Sequence, residues 1–248
     1  MDKTYEAAYH TLEETHWWFA ARRDFVYSLL QAEKRDAPLL EAGCSGGPLL
    51  LRLRAAGFTD LQGIDVSAEG IALAHARGFD HAYVMDAART TFGDASFAAI
   101  VASDVLEHIA DDAQALREWY RLLRPGGRLY VFVPAFMWLW SGHDVVNLHQ
   151  RRYTAATLRA ALQQAGFAVR RTSYWNCLLF FTIAAIRLLR RPFAGNTHAP
   201  ATGDLKPLPP VVNRALLALL RFENALLRQV NLPVGVSVFC IAQKPGNA

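Results

Sequence analysis

Pro38-Leu39-Leu40-Glu41-Ala42-Gly43-Cys44-Ser45-Gly46-Gly47-Pro48 decides how the rest of the chain is read. Leu39 and Leu40 begin a short apolar strand that runs straight into a glycine-rich turn. Glycine lets the backbone turn sharply and approach a ligand, and a helix N-terminus offers free N–H groups. A helix from Pro48 to Ala56 follows. Pro48 occupies the first turn, where its missing N–H costs nothing, and Gly57 is placed to end the helix. By itself such a turn could serve several nucleotide-like ligands, so its surroundings must choose between them.

Outward from this turn the alternation repeats. Leu61–Asp65 reads as strand two and Ala68–Arg77 as a helix closed by Gly78, with Ala82–Met85 as strand three. Ala98–Ser103 is strand four, and a helix from Asp112 to Leu123 leads through Pro125-Gly126-Gly127 to strand five at Arg128–Val133. Thr154–Ala165 is helical, with Thr154 as N-cap and Gly166 as stop; Phe167–Ser173 and Val234–Ala242 complete the strands. Short apolar strands separated by helices predict an α/β fold, a doubly wound, seven-stranded, mostly parallel sheet covered on both faces. Residues 1–36 form an N-terminal helical cover that includes a helix over Trp17–Ala32, and 37–173 the α/β core, with 134–153 as its acceptor-pocket segment. A helical insertion, 174–233, precedes the last strand and tail, 234–248. Within it, helices are expected over Asn176–Arg191 and Val211–Val230, joined by a Pro/Gly-rich loop.

Composition narrows the class. The 248 residues are 52% hydrophobic, ample for a large core, and 19% charged, below the ordinary share. Net charge is +4, which suits an anionic partner without naming one. Cys44, Cys177 and Cys240 are widely spaced and odd in number, which argues against a disulfide framework or structural zinc. The polar start has no apolar signal region, and no apolar run reaches the ~20 residues of a membrane span. The expected location is cytoplasmic, with peripheral contact at the inner membrane face as an option. No basic domain or aromatic stacking motif points to nucleic acid.

Carboxylates at successive strand ends make the turn specific. Asp65 ends strand two, where it can accept both hydroxyls of a ribose; Asp86 ends strand three, within reach of an adenine amine; Ser103-Asp104 ends strand four. In order and spacing, Glu41-Ala42-Gly43-Cys44-Ser45-Gly46-Gly47, Gly63-Ile64-Asp65, Met85-Asp86-Ala87, Asp104-Val105-Leu106-Glu107-His108 and Leu123-Arg124-Pro125-Gly126-Gly127 resemble the motifs of class I S-adenosylmethionine-dependent methyltransferases. The resemblance is strongest to the broad methyltransferase-11/12-type group and covers Glu41 to Pro134 well, the flanks more loosely. It implies a Rossmann-like methyltransferase fold with S-adenosylmethionine as methyl donor. Glu41, Gly43 and Gly47 would surround the methionine part, Asp65 the ribose, Asp86 and Ala87 the adenine, and Ser103 and Asp104 the methionyl amine. Val66 belongs with this donor set. Ser45 stands where the family often has glycine; it is small, and binding is expected to survive. Arg22, on a helix that resembles cofactor covers of related enzymes, is expected to pair with the methionine carboxylate. Trp17 and Trp18 either close the pocket or staple this helix to the core.

The acceptor should lie outside the carboxyl ends of the strands. His143 beside Asp144 is the first candidate for the base and His149 the second; Arg151 and Arg152 either hold an anionic group or organise the loop. These histidines, and the lack of an amide-methylating motif after strand four, favour oxygen as the methylated atom. The acceptor is expected to be a small molecule, hydrophobic or lipid-linked, from glycan or natural-product assembly. Asp104, Glu107 and His108 resemble the divalent-metal pattern of ubiquinone-pathway O-methyltransferases. Leu-Glu-His is also frequent in methyltransferases that need no metal, so none is assigned. Leu178–Ile186 followed by Arg187, Arg190 and Arg191 makes 174–233 a lid, a homodimer surface or a membrane-surface element. Two rival functions stay open, a nucleotide-dependent oxidoreductase and a non-catalytic partner that keeps the fold.

Overall fold

Leu39 and Leu40 are fully enclosed because their strand lies in the middle of the sheet: all of β1 (Leu39–Ala42) is buried. The computed structural model describes residues 12–194 and 207–246. After β1 come α2 (Pro48–Ala55), β2 (Leu61–Asp65), α3 (Ala68–Ala76), β3 (Ala82–Val84) and β4 (Phe97–Ser103), preceded by α1 (Trp17–Leu30). Then follow α4 (Asp112–Leu122), β5 (Leu123–Pro134), α5 (Gly142–Val146), α6 (Ala155–Gln164) and β6 (Ala168–Trp175). The chain continues through α7 (Phe180–Ala194) and α8 (Pro210–Leu227) into β7 (Ser237–Gln243). The seven strands are ordered β3-β2-β1-β4-β5-β7-β6, and β7 alone runs antiparallel to its neighbours. Strand order reverses between β1 and β4, which opens a crevice at their carboxyl ends.

Helices cover both faces. Leu116, Trp119, Leu158 and Leu162 of α4 and α6 pack on one side, and Trp119 Nε1 donates to the Ala87 carbonyl at 2.9 Å. Phe25 of α1, Leu50 and Leu53 of α2, Ile71 of α3, and Leu220 and Leu227 of α8 fill the other. Thr154 caps α6 as read from the sequence, accepting from Thr157 N.

The second insertion helix packs on the chain's own core, against α1. Asn224 donates to the Ala21 carbonyl at 2.9 Å and accepts from Trp175 Nε1 at 2.9 Å. The first insertion helix starts at Phe180, four residues later than the sequence suggests. Asn176 has a left-handed backbone (φ +61°), and the buried Glu223 of α8 accepts from the N–H groups of Asn176, Cys177 and Leu178. The left-handed turn at Asn176 keeps the helix from starting there, and the Glu223 carboxylate answers the N–H groups that would otherwise be left without an acceptor. Three short elements escaped the sequence reading: the 3₁₀ turns Leu106–His108 and Met137–Leu139, and α5. Among the described residues no helix is long and apolar enough to cross a membrane.

Candidate active site

A cavity of about 780 Å³ opens at the carboxyl ends of β1 to β4, with α1 along one wall. Arg22, Glu41, Gly43, Ser45, Asp65, Val66, Asp86, Ala87, Ser103 and Asp104 all line it. Gly47 does not. It is the N-cap of α2 with φ +72°, so its part is to start the helix.

The turn explains why these residue types occur here. Gly43 has φ +75°, and a Cβ there would come within 2.3 Å of Val105 Cγ2. Ser45 is also left-handed (φ +48°); its N–H donates to Asp65 Oδ2 at 2.8 Å and its hydroxyl to Glu13 Oε2 at 2.9 Å. Asp65 Oδ1 accepts from Ser67 N at 2.9 Å, so this carboxylate ties the glycine turn to the start of α3. Asp86 similarly accepts from Ala88 N at 2.8 Å. Glu41 is buried, and no hydrogen bond reaches its Oε2 among the described residues. Burial, then the nearby Glu13 and Asp65 carboxylates, push its carboxyl well above the usual range, opposed by Arg23.

Arg22 is 4% exposed, its guanidinium 4.2 Å from the Trp175 ring centre and 4.8 Å from those of Trp18 and Phe132. It donates to Ser237 Oγ at 2.7 Å and lies 3.5 Å from the Asp104 carboxylate. Trp17 and Trp18 both pack against the core, and Trp18 also lines the cavity.

At the other end the histidines are arranged differently from the sequence expectation. Asp144 is wholly buried and bonds His149 Nδ1 (2.9 Å) and both Arg152 Nε (2.7 Å) and Nη2 (2.9 Å), while Ser141 N donates to it at 2.8 Å. Burial alone would raise its carboxyl; the bonds from His149 and Arg152 outweigh that and hold it far below the usual range. Asp144 thus orients His149, and His143 faces the Asn147 amide instead, 3.2 Å away. Neither His143 nor His149 lines the cavity. The histidine that does is His108, edge-on to His149 with ring centres 4.6 Å apart. Withdrawal from bulk water, then the His149 ring, push His108 down to about 4, so it is neutral at pH 7. Arg151 pairs with Asp112 at 2.8 Å and Arg152 with Asp144, so both arginines organise the loop and neither faces the cavity. Asn147, Leu148 and Gln150 do face it. Nothing in their type announced this; they lie in the 134–153 segment, which its place after β5 marked as acceptor-pocket lining.

A family model described as "Methyltransferase domain" matches residues 15–172. The chain belongs to this methyltransferase-domain family. It is 34% identical over 167 residues to a "Probable S-adenosylmethionine-dependent methyltransferase" of Mycolicibacterium smegmatis, covering 65% of this chain and 63% of that one. It is 32% identical over 108 residues to the 27-O-demethylrifamycin SV methyltransferase of Amycolatopsis mediterranei, covering 39% of this chain and 40% of that protein. The chain spans less than two thirds of the length of the curated relatives it matches. Among solved structures, a methyltransferase in complex with the Haloferax volcanii Trm112 activator shares the fold with a TM-score of 0.65 at 19% identity, covering 99% of this chain and 96% of that one.

Proposed function

We propose that the chain transfers the methyl group of S-adenosylmethionine to an oxygen of a small, hydrophobic or lipid-linked acceptor. The observation that carries the donor assignment is that Asp65, Asp86 and a Glu41 oxygen without a hydrogen-bond partner among the described residues converge on one cavity with the left-handed Gly43 turn. Their chemistry fits the ligand. Asp65 and Val66 would meet the ribose, Asp86 and Ala87 the adenine, and Glu41 with Ser103 and Asp104 the cationic methionine end. Gly43 allows the close approach, Ser45 holds Asp65 in place, and Gly47 contributes by starting α2. Arg22, already facing Asp104, would hold that carboxylate in position and leave part of its own charge for the methionine carboxylate.

The donor, when bound, supplies an electrophilic methyl on a sulfonium. The protein's share is alignment of two reactants and exclusion of water, to which Trp18 and Phe19 contribute by covering the cavity. The acceptor would enter on the side of His108, Asn147 and Leu148. His108 lines that side with His149 edge-on behind it, so the two imidazoles would be the groups nearest an acceptor hydroxyl whose proton has to leave. Oxygen as the acceptor atom is in keeping with the rifamycin relative's name. The apolar acceptor is in keeping with Phe181 and Leu189 of α7, 73% and 72% exposed.

Calorimetric titration with S-adenosylhomocysteine and with NAD tests the donor. We expect binding of the first and none of the second, with Asp65→Ala weakening it at least about tenfold, the loss of one charge-assisted hydrogen-bond partner. Binding of NAD alone would replace this reading by an oxidoreductase.

A further inference from the structure

At the acceptor end, three side chains from two distant segments face a common point. Glu107 and His108 come from the 3₁₀ turn after β4, and His149 from the loop after α5; one ligating atom of each lies within 4.8 Å of the other two. Glu107 is wholly buried, and neither of its carboxylate oxygens has a hydrogen-bond partner among the described residues. A buried carboxyl with no donor either keeps a proton or is answered by a cation, and Glu107 has two imidazoles beside it that could share one.

The two imidazoles are held as ligands are held. His149 bonds Asp144 through Nδ1, and His108 hydrogen-bonds the Asn147 backbone, so each ring keeps its second nitrogen for another partner. An outer bond to a carboxylate or carbonyl fixes the tautomer and orientation of a metal-binding histidine. Asp104 is outside this group, because its carboxylate faces Arg22 and Ser103. The third member comes from the acceptor segment instead, which no local sequence pattern discloses.

We propose that Glu107, His108 and His149 bind one divalent first-row transition ion at the acceptor end of the cavity. Two imidazoles and one carboxylate suit zinc, iron or cobalt better than magnesium or calcium. Three protein ligands leave coordination positions open on the cavity side, where His108 is exposed to it. In methyl transfer the ion would favour ionisation of the acceptor hydroxyl, whose proton passes to solvent. That use rests on the methyl-transfer reading, whereas the binding does not.

The test uses the full chain without a histidine tag, stripped by chelator and titrated with zinc by calorimetry and with cobalt by visible absorption. Expected is one equivalent bound, with affinity falling in Glu107→Gln and in His149→Gln by more than the roughly ten- to a hundredfold that loss of an outer-shell partner costs, since each removes a direct ligand. Circular dichroism and S-adenosylhomocysteine binding establish that each variant is folded, and either variant suffices if the other is not. No stoichiometric uptake by the wild-type chain, or uptake kept undiminished in a folded variant, overturns the proposal. Cation uptake without S-adenosylhomocysteine binding would refute the donor reading and leave this one standing; the converse result would do the opposite.

Discussion

Glu41 illustrates how much one side chain's surroundings decide. Its raised carboxyl holds a proton in the free protein at a pH where an exposed glutamate would have lost it. A cationic donor alongside favours the charged form, so binding should expel that proton and affinity should rise with pH until the free protein's Glu41 is itself ionised. Calorimetry at one pH in buffers of different ionisation enthalpy reads the released proton directly. Glu41→Gln should remove the buffer dependence, and a buffer-independent enthalpy in the wild-type chain would contradict the assignment. Gly43 makes a second case: with φ +75° and Val105 against its missing Cβ, Gly43→Ala is expected to lower S-adenosylhomocysteine affinity at least roughly tenfold. At this scale the donor residues were legible because strand ends bring them to one edge, so Asp65 and Asp86 declare themselves by position. His108 was singled out only within the Asp104-Glu107-His108 pattern; its place beside His149, far along the chain, could not be read from the sequence. The pairing of Asp144 with His149 instead of its neighbour His143 was likewise a matter of helical geometry, since α5 places adjacent residues on different sides.

Between elements, Asp24 of α1 joins the helical cover to both α2 and α8, through ion pairs with Arg52 and, at 2.7 Å, Arg221. Burial raises its carboxyl, and the two arginine hydrogen bonds outweigh that, leaving it below its ordinary value of 3.8. A depressed folded value means the contribution is fully present above the unfolded value and is lost as pH falls through the folded one. Asp24→Asn should therefore cost about 1 kcal/mol or less near neutrality, given the partial exposure of its partners, and flatten the acid side of the stability profile below pH ~4. Thermal melts of the two proteins from pH 3 to 7 check this; parallel profiles would show that the pairs contribute nothing. The insertion shows the limit of pattern reading at this scale. Its two helices were visible from their leucines, but the start of α7 was not, because the left-handed turn at Asn176 and its contact with Glu223 on the other helix leave no local pattern.

For the molecule as a whole, the doubly wound order could be anticipated because short buried strands alternating with helices have few other solutions. Which strand reverses could not be read from apolar runs, since β7 is buried much as the parallel β4 is. A ligand that bridges β1, β2, β3 and β4 stabilises all of them together. At about a hundredfold excess over Kd, S-adenosylhomocysteine should raise Tm by about 5–10 °C. A scanning calorimeter measures the shift, and an unchanged Tm at saturating ligand would deny a common pocket.

Trp18 and Trp175 meet edge to face at 5.6 Å around the Arg22 guanidinium, and Trp18 borders the cavity itself. Indole emission responds to the charges and water around it, so the chain carries its own optical gauge of whether the compartment is filled. Ligand exchange can then be followed in milliseconds by stopped flow on unlabelled protein, with Trp18→Phe showing how much of the change the cavity-lining ring contributes above the other five tryptophans.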